Sequence, residues 1–189
     1  MTPLILDLEV ENWPYMSAIA SPRHPDNYVV MSGWAVGSGE RCSRSFSDKA
    51  LSRSKWLPSL EGIDVIVAHN AAFEMQWIMA EYMEEFIKFL ARGGRVFCTA
   101  YAEYLLSNQQ TLYPSLDETA PIYGGTQKID EVKMQWGAGK RTSEIDHDLL
   151  LEYLIGDGGD IENTRKVFYG QAQQLVARGM WNMAFARMD

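Results

Sequence analysis

Pro3-Leu4-Ile5-Leu6-Asp7-Leu8-Glu9-Val10 is an apolar run interrupted by two carboxylates. Residues two apart on a strand face the same way, so a strand here sets Asp7 and Glu9 side by side, ~7 Å apart along the chain. Two anions at the edge of a hydrophobic core repel each other and resist desolvation. A hard divalent cation that takes oxygen ligands, Mg²⁺ or Mn²⁺, relieves both penalties. A half-exposed edge strand carrying two solvated acids satisfies the same eight residues, so the rest of the chain must separate the two readings.

Working outward, the 189 residues are 47% hydrophobic and 22% charged, with a mean hydropathy of −0.22. That is enough apolar material for one well-buried core, and a single domain over residues 1–189 is expected. No apolar run reaches the ~18–20 residues needed to span a membrane, and no basic-then-apolar leader opens the chain. Cys42 and Cys98 are far apart and no CxxC is present, which points to a reducing, cytoplasmic setting. The net charge of −8 and pI near 4.9 argue against a broad phosphate-binding surface. They leave room for an enzyme that neutralises phosphates locally through metal ions.

Strands are expected over residues 3–10, 28–36 and 42–46, the last two joined by a Gly37-Ser38-Gly39 hairpin. Ser47-Asp48 reads as the N-cap of a helix through Trp56, ended by Pro58. Ile63–Ala68 is a β-branched run suited to a buried strand. Helices follow over 71–83 and 84–91, then a strand at Arg95–Cys98 and a helix over 101–106. Residues 108–146 are broken by prolines and glycines, and 146–178 is helical apart from Gly156–Gly159. A meander of strands followed by alternating strands and helices predicts an α/β architecture, a central mixed sheet flanked by helices, with the first strand in the middle.

Two further acidic positions stand where strand ends and helix starts gather chemistry. In Val67-Ala68-His69-Asn70-Ala71-Ala72-Phe73-Glu74 a buried strand runs into a helix, with Asn70 at the N-cap and Glu74 in the first turn. Taken alone, Glu74 is a common complement to the helix dipole. In Leu149–Thr164, Tyr153 precedes Asp157 and Asp160, two acids that on their own read as solvated loop or cap residues.

Together and in this order, Asp-x-Glu on a first strand, His-Asn-x-x-Phe-acid after a middle strand and a late Tyr followed by Asp resemble the three motifs of the DEDD 3′→5′ exonuclease superfamily. The tyrosine-bearing branch, the proofreading domains of family A, phage-type DNA polymerases, is the most similar. Ser115-Leu116-Asp117-Glu118 through Tyr123-Gly124-Gly125, Lys128 and Lys133, and the string Gly159-Asp160-Ile161-Glu162-Asn163-Thr164, strengthen the likeness, which spans about residues 3–170. The resemblance implies a ribonuclease-H-like fold and two-metal hydrolysis of phosphodiester bonds at the 3′ end of single-stranded DNA, with two Mg²⁺ or Mn²⁺ ions as cofactors. It makes Asp7 the bridging ligand, completes the first metal site with Glu9 and Asp160, and gives Glu74 to the second. Tyr153 would orient the attacking water. The chain shows no polymerase motifs, so a DNA polymerase is expected as a separate partner or a missing part, in a host cytoplasm if the gene is phage-borne.

Two features depart from the family pattern. The family carries Asp where this chain has Glu74, one methylene longer, which bears on the second ion and favours Mn²⁺. The usual Tyr-to-Asp gap selects Asp157, whereas the Gly-Asp-Ile-Glu-Asn-Thr string selects Asp160 with an insertion at Gly156–Gly159. His69 and Asn70 are candidate contacts to the terminal nucleotide, against a hydrogen-bonded strand-end histidine. Phe73 is a candidate stacking ring, against core packing. Trp13, Trp34, Trp56 and Trp77 read as core or partner surface, and His24 and His147 as surface. Lys128, Lys133, Lys140 and Arg141 form a basic stretch able to touch a nucleic-acid backbone or merely to face solvent. An exoribonuclease similar to RNase D, and a polymerase docking domain with impaired catalysis, are the competing functions.

Overall fold

The computed structural model describes residues 1–12, 20–126 and 130–185; Trp13 and Lys128 therefore lie outside the described residues. Five strands form one mixed sheet: β1 Pro3–Val10, β2 Val29–Val36, β3 Arg41–Ser45, β4 Val65–Ala68 and β5 Arg95–Cys98. Their order is β3-β2-β1-β4-β5, which places β1 at the centre. β1 and β2, and β2 and β3, pair antiparallel; β4 lies parallel to both β1 and β5. The expected α/β architecture with a central mixed sheet holds.

The alternation within β1 sorts its side chains between two cores. Leu4, Leu6, Leu8 and Val10 enter the core beneath α2 Ala71–Glu81 and α3 Met83–Ala91, together with Trp56 and Trp77. Ile5 faces the opposite core, built with α4 Thr99–Leu106, α6 Asp130–Gly137, α7 His147–Ile155 and α8 Asp160–Ala177. Asp7, half-buried, and Glu9, buried, follow Ile5 on that second face. β1 pairs with β4 only as far as Ile5, opposite Val67; beyond that point β1 runs on while β4 turns into α2. This is the crevice outside the strand ends where α/β sheets place ligands. The ladder to β2 slips between Glu9 and Val10, leaving Val30 as the extra residue of a bulge.

Local departures from the sequence expectations have local causes. The helix expected through Trp56 is one turn, α1 Lys49–Ser52, capped by Asp48, whose side chain accepts the Leu51 N–H at 2.9 Å. Ser54 then takes a left-handed φ of 54°, and Trp56 drops into the core with its indole N–H bonded to Glu81. Ile63 and Asp64 precede β4 rather than join it. Asn70 occupies the N-cap position of α2 but makes no side-chain cap bond. The broken segment holds α5 Leu116–Thr119, closed by a capping box of Ser115 and Glu118, a short 3₁₀ turn at Ala120–Tyr123, and α6. No helix among the described residues is long and apolar enough to cross a membrane.

Candidate metal centre and cleft

The acidic residues that lie far apart in sequence meet at the open end of β1. Asp7, Glu9 and Asp160 each offer a carboxylate oxygen, and the three atoms lie within 4.8 Å of one another. Glu9 and Asp160 are buried at 6% and 4% exposure, and Glu74 at 3%. Such packing of anions persists only where positive charge compensates it. Part of the compensation is built into the fold: Asp160 is the first residue of α8 and Glu74 stands in the first turn of α2, so both acids meet a helix N-terminus.

Glu74 supplies the test of whether these residues suit a metal. Its Oε2 is buried and has no hydrogen-bond partner among the described residues. Burial, followed by the negative charge of Asp7 and smaller contributions from Glu9 and Asp160, holds its carboxyl well above the usual carboxylate range. A buried oxygen without a donor, among carboxylates that destabilise its charge, fits a divalent cation bound by hard oxygen ligands. Asp7, Glu9 and Asp160 form one donor set, and Glu74 lines the same cleft within reach of the Asp7 charge.

Of the two late aspartates, the structure brings Asp160 to this group. Asp157 is fully exposed and pairs with Arg41 at 2.6 Å, while the same guanidinium donates to the Gly156 carbonyl at 2.7 Å. That pairing holds the Asp157 carboxyl below its usual range. Gly156–Gly159 breaks the helix as expected, and the turn is built tightly. A Cβ on Gly159 would lie 2.8 Å from the carbonyl oxygens of both Tyr153 and Leu154. Asn163, fully buried, fastens the turn: its amide donates to the carbonyls of Gly158 (2.9 Å) and Thr126 (3.0 Å), and its Oδ1 accepts the Thr126 N–H. Sequence reading quoted Asn163 without giving it this positioning work; its place one turn into α8, after a glycine pair, was the available signal.

Around the acids opens a cleft of about 340 Å³, lined by His69, Asn70 and Phe73 and by Ser115, Leu116, Asp117, Lys133, Trp136 and Tyr153. Tyr153 is 5% exposed and meets Trp136 edge to face at 5.8 Å, while the Trp136 N–H bonds Thr142 Oγ1. Trp136 escaped sequence reading because nothing in its local pattern separates a cleft ring from a core ring. Lys133 is the one ammonium lining the cleft among the described residues, and it pairs with Asp117, another lining residue. Lys140 and Arg141 engage Gln135 and Glu144 instead, and neither lines the cleft.

His69 uses both ring nitrogens within the protein. Nε2 donates to the Pro114 carbonyl at 2.9 Å, and Nδ1 hydrogen-bonds Thr99 Oγ1 at 2.8 Å. This is the strand-end histidine of the structural reading, and it braces the cleft wall. Asn70 is exposed with its side chain free of cap duty. Phe73 packs against the α2 core, the bland alternative considered for it, and also lines the cleft. Trp56 and Trp77 are core residues; Trp34 is half-buried under the Arg44 guanidinium. His147 is exposed and His24 half-buried.

No protein-family model matches the chain, and no curated protein does. Solved structures match over nearly its whole length. Brucella melitensis NrnC with bound Mg²⁺ superimposes with a TM-score of 0.63 at 14% identity, covering 96% of this chain and 77% of NrnC. Brucella melitensis NrnC bound to pGG gives 0.63 at 13% identity, with the same coverage. The family B DNA polymerase from the hyperthermophilic archaeon Pyrobaculum calidifontis gives 0.54 at 15% identity, covering 93% of this chain and 24% of the polymerase. At these identities the likeness establishes the fold: an α/β sheet of ribonuclease-H-like form, shared with nucleases.

Proposed function

We propose that the chain is a metal-dependent 3′→5′ exonuclease of the DEDD type, hydrolysing phosphodiester bonds one nucleotide at a time from the 3′ end of a single strand. The observation that carries the reading is the convergence of Asp7, Glu9 and Asp160 within 4.8 Å, with the buried, unbonded Glu74 oxygen beside them. An NrnC structure contains Mg²⁺, which supports divalent metal as the cofactor. When bound, two such ions neutralise the scissile phosphate and lower the pKa of the attacking water.

This chain's own residues then hold and orient. Asp7 would be shared by the two metal sites. Glu9 and Asp160 complete one site, and Glu74 the other. The Tyr153 hydroxyl, on a ring held in edge contact with Trp136, directs the water by hydrogen bonding. Lys133 exchanges its partner Asp117 for a substrate phosphate. Phe73 supports the terminal base, Asn70 reaches the terminal sugar or phosphate, and His69 keeps the wall in place.

Single-stranded DNA, and proofreading beside a DNA polymerase, is the reading favoured by the sequence motifs and by the polymerase likeness. An exoribonuclease acting on short oligonucleotides is favoured by the NrnC structure with pGG. Incubation with 5′-labelled DNA and RNA strands in Mg²⁺ or Mn²⁺ tests both. A ladder shortening from the 3′ end and abolished by Asp7→Ala is expected, and the preferred sugar is read from the relative rates. Intact strands of both kinds at protein excess, with either metal, would end the proposal.

A further inference from the structure

Beside the cleft the chain carries three tyrosines that the acidic site does not use. Tyr101 and Tyr104 stand one turn apart on α4, stacked with 6.3 Å between centroids and 29° between planes. Tyr113 returns from the following loop and stacks on Tyr104 at 5.7 Å and 19°. The loop is fastened back onto α4: the Gln109 N–H bonds the Tyr104 carbonyl at 2.8 Å, and the Thr111 N–H bonds Ser107 Oγ at 3.0 Å.

Tyr113 has a φ of 44°, a left-handed conformation costly for a bulky residue and retained where surrounding contacts impose it. The result is a ring held at the surface, 44% exposed, rather than tucked into the core. Two residues later the chain becomes the cleft wall at Ser115, and the intervening Pro114 carbonyl is the one that His69 holds. The ladder therefore starts within ~7 Å of chain from the cleft.

Charge leaves stacking as the means of gripping a longer strand. At a net charge of −8, with Lys133 the one ammonium lining the cleft among the described residues, little binding can come from counterion release. Stacking needs no cation, because every base presents a π-face. We propose that the Tyr113 ring, backed by Tyr104 and behind it by the core-packed Tyr101, forms a base-stacking platform for the part of a single strand that trails out of the cleft, taking the first base outside it. This rests on reading the cleft as a single-strand exonuclease site. The platform makes the protein sensitive to strand length: an oligonucleotide contained in the cleft gains nothing from it.

Two measurements test this independently of catalysis and through it. Binding of a fluorescein-labelled hexanucleotide and dinucleotide is followed by anisotropy in EDTA, where metal hydrolysis is absent; hydrolysis of the same strands is followed in Mg²⁺ or Mn²⁺. Tyr113→Leu is expected to weaken hexanucleotide binding about ten-fold and to raise its KM by the same factor with kcat unchanged. Tyr113→Phe keeps parental values, the dinucleotide is indifferent to both changes, and hexanucleotide binding falls only shallowly with salt. Equal effects on both lengths, an unchanged Tyr113→Leu protein, or a hexanucleotide that fails to bind the parent in EDTA overturns the platform. A parent that binds through Tyr113 but hydrolyses nothing keeps the platform and sinks the exonuclease reading; one that hydrolyses without dependence on Tyr113 does the reverse.

Discussion

Asp7 and Glu9 lie on a central strand hydrogen-bonded to β2 along their length, Asp7 directly opposite Gly33 and Glu9 opposite Met31. Asp160 opens a helix after a glycine-rich turn that is held from outside, by Arg41 on the Gly156 carbonyl and Asn163 on Gly158 and Thr126. The two halves of one acidic cluster are thus positioned by different physics. On a strand, a two-residue period aims the side chains and no distant residue has to enforce it. At the turn, the direction of Asp160 depends on partners up to 119 positions away in sequence. Spacing within a motif can be trusted in the first half and not in the second.

Asp7→Asn strikes the half shared by both proposed metal sites and should have the largest effect. Activity is expected to drop on the order of 10³-fold or more in single-turnover assays, while the metal-free protein melts no lower, since one of several repelling charges has gone. Next, Asp160→Asn should cost about 10²–10³-fold, whereas Asp157→Asn, at an exposed ion pair of little energetic weight, should stay within about two-fold. Equal losses would show that the turn does not fix the choice between them.

Asn163→Ala removes the fastening while leaving every acid in place. Stranding the buried groups of Thr126 and Gly158 should destabilise the protein by about 1–3 kcal/mol, read by chemical denaturation, and should lower kcat more than it raises KM. Loss of stability with intact kcat would mean that the turn keeps its aim without Asn163.

The smallest expected effect is in pH dependence, and it compares the cluster with and without metal. Because burial and neighbouring charge raise the Glu74 carboxyl, the folded protein binds more protons than the unfolded chain between the ordinary carboxylate value and the raised one. Metal-free stability should therefore fall as pH rises through that window. The increase in Tm given by Mg²⁺ or Mn²⁺ should grow over the same range, and Glu74→Gln should flatten both trends. A metal-free Tm that climbs with pH there would contradict the assigned electrostatics.

The central position of β1, the mixed sheet and the helix-flanked layers were legible because each rests on local periodicity and turn chemistry. So was the pairing of Asp7 with Glu9. The end of the first short helix was not: Ser54 leaves the helical region so that Trp56 can fill the core, a tertiary demand invisible in the run Lys49–Trp56. The Gly159–Thr164 string favoured Asp160 over Asp157, but the reason Asp157 stays away needed Arg41, a residue of β3 that captures it at the surface. His69 needed Thr99 and Pro114, and Trp136 needed Tyr153. In each case the deciding partner is remote in sequence.

The placement of Glu74 and Asp160 at helix N-termini has a consequence for how the protein comes into being. Sites in which the ion supplies the folding energy leave an unfolded chain when the ion is scarce. Here two oriented helices and two apolar cores already tolerate the crowded acids, so the chain can reach its final shape during synthesis and take up its ions afterwards. Ion supply would then govern when the molecule works, not whether it exists.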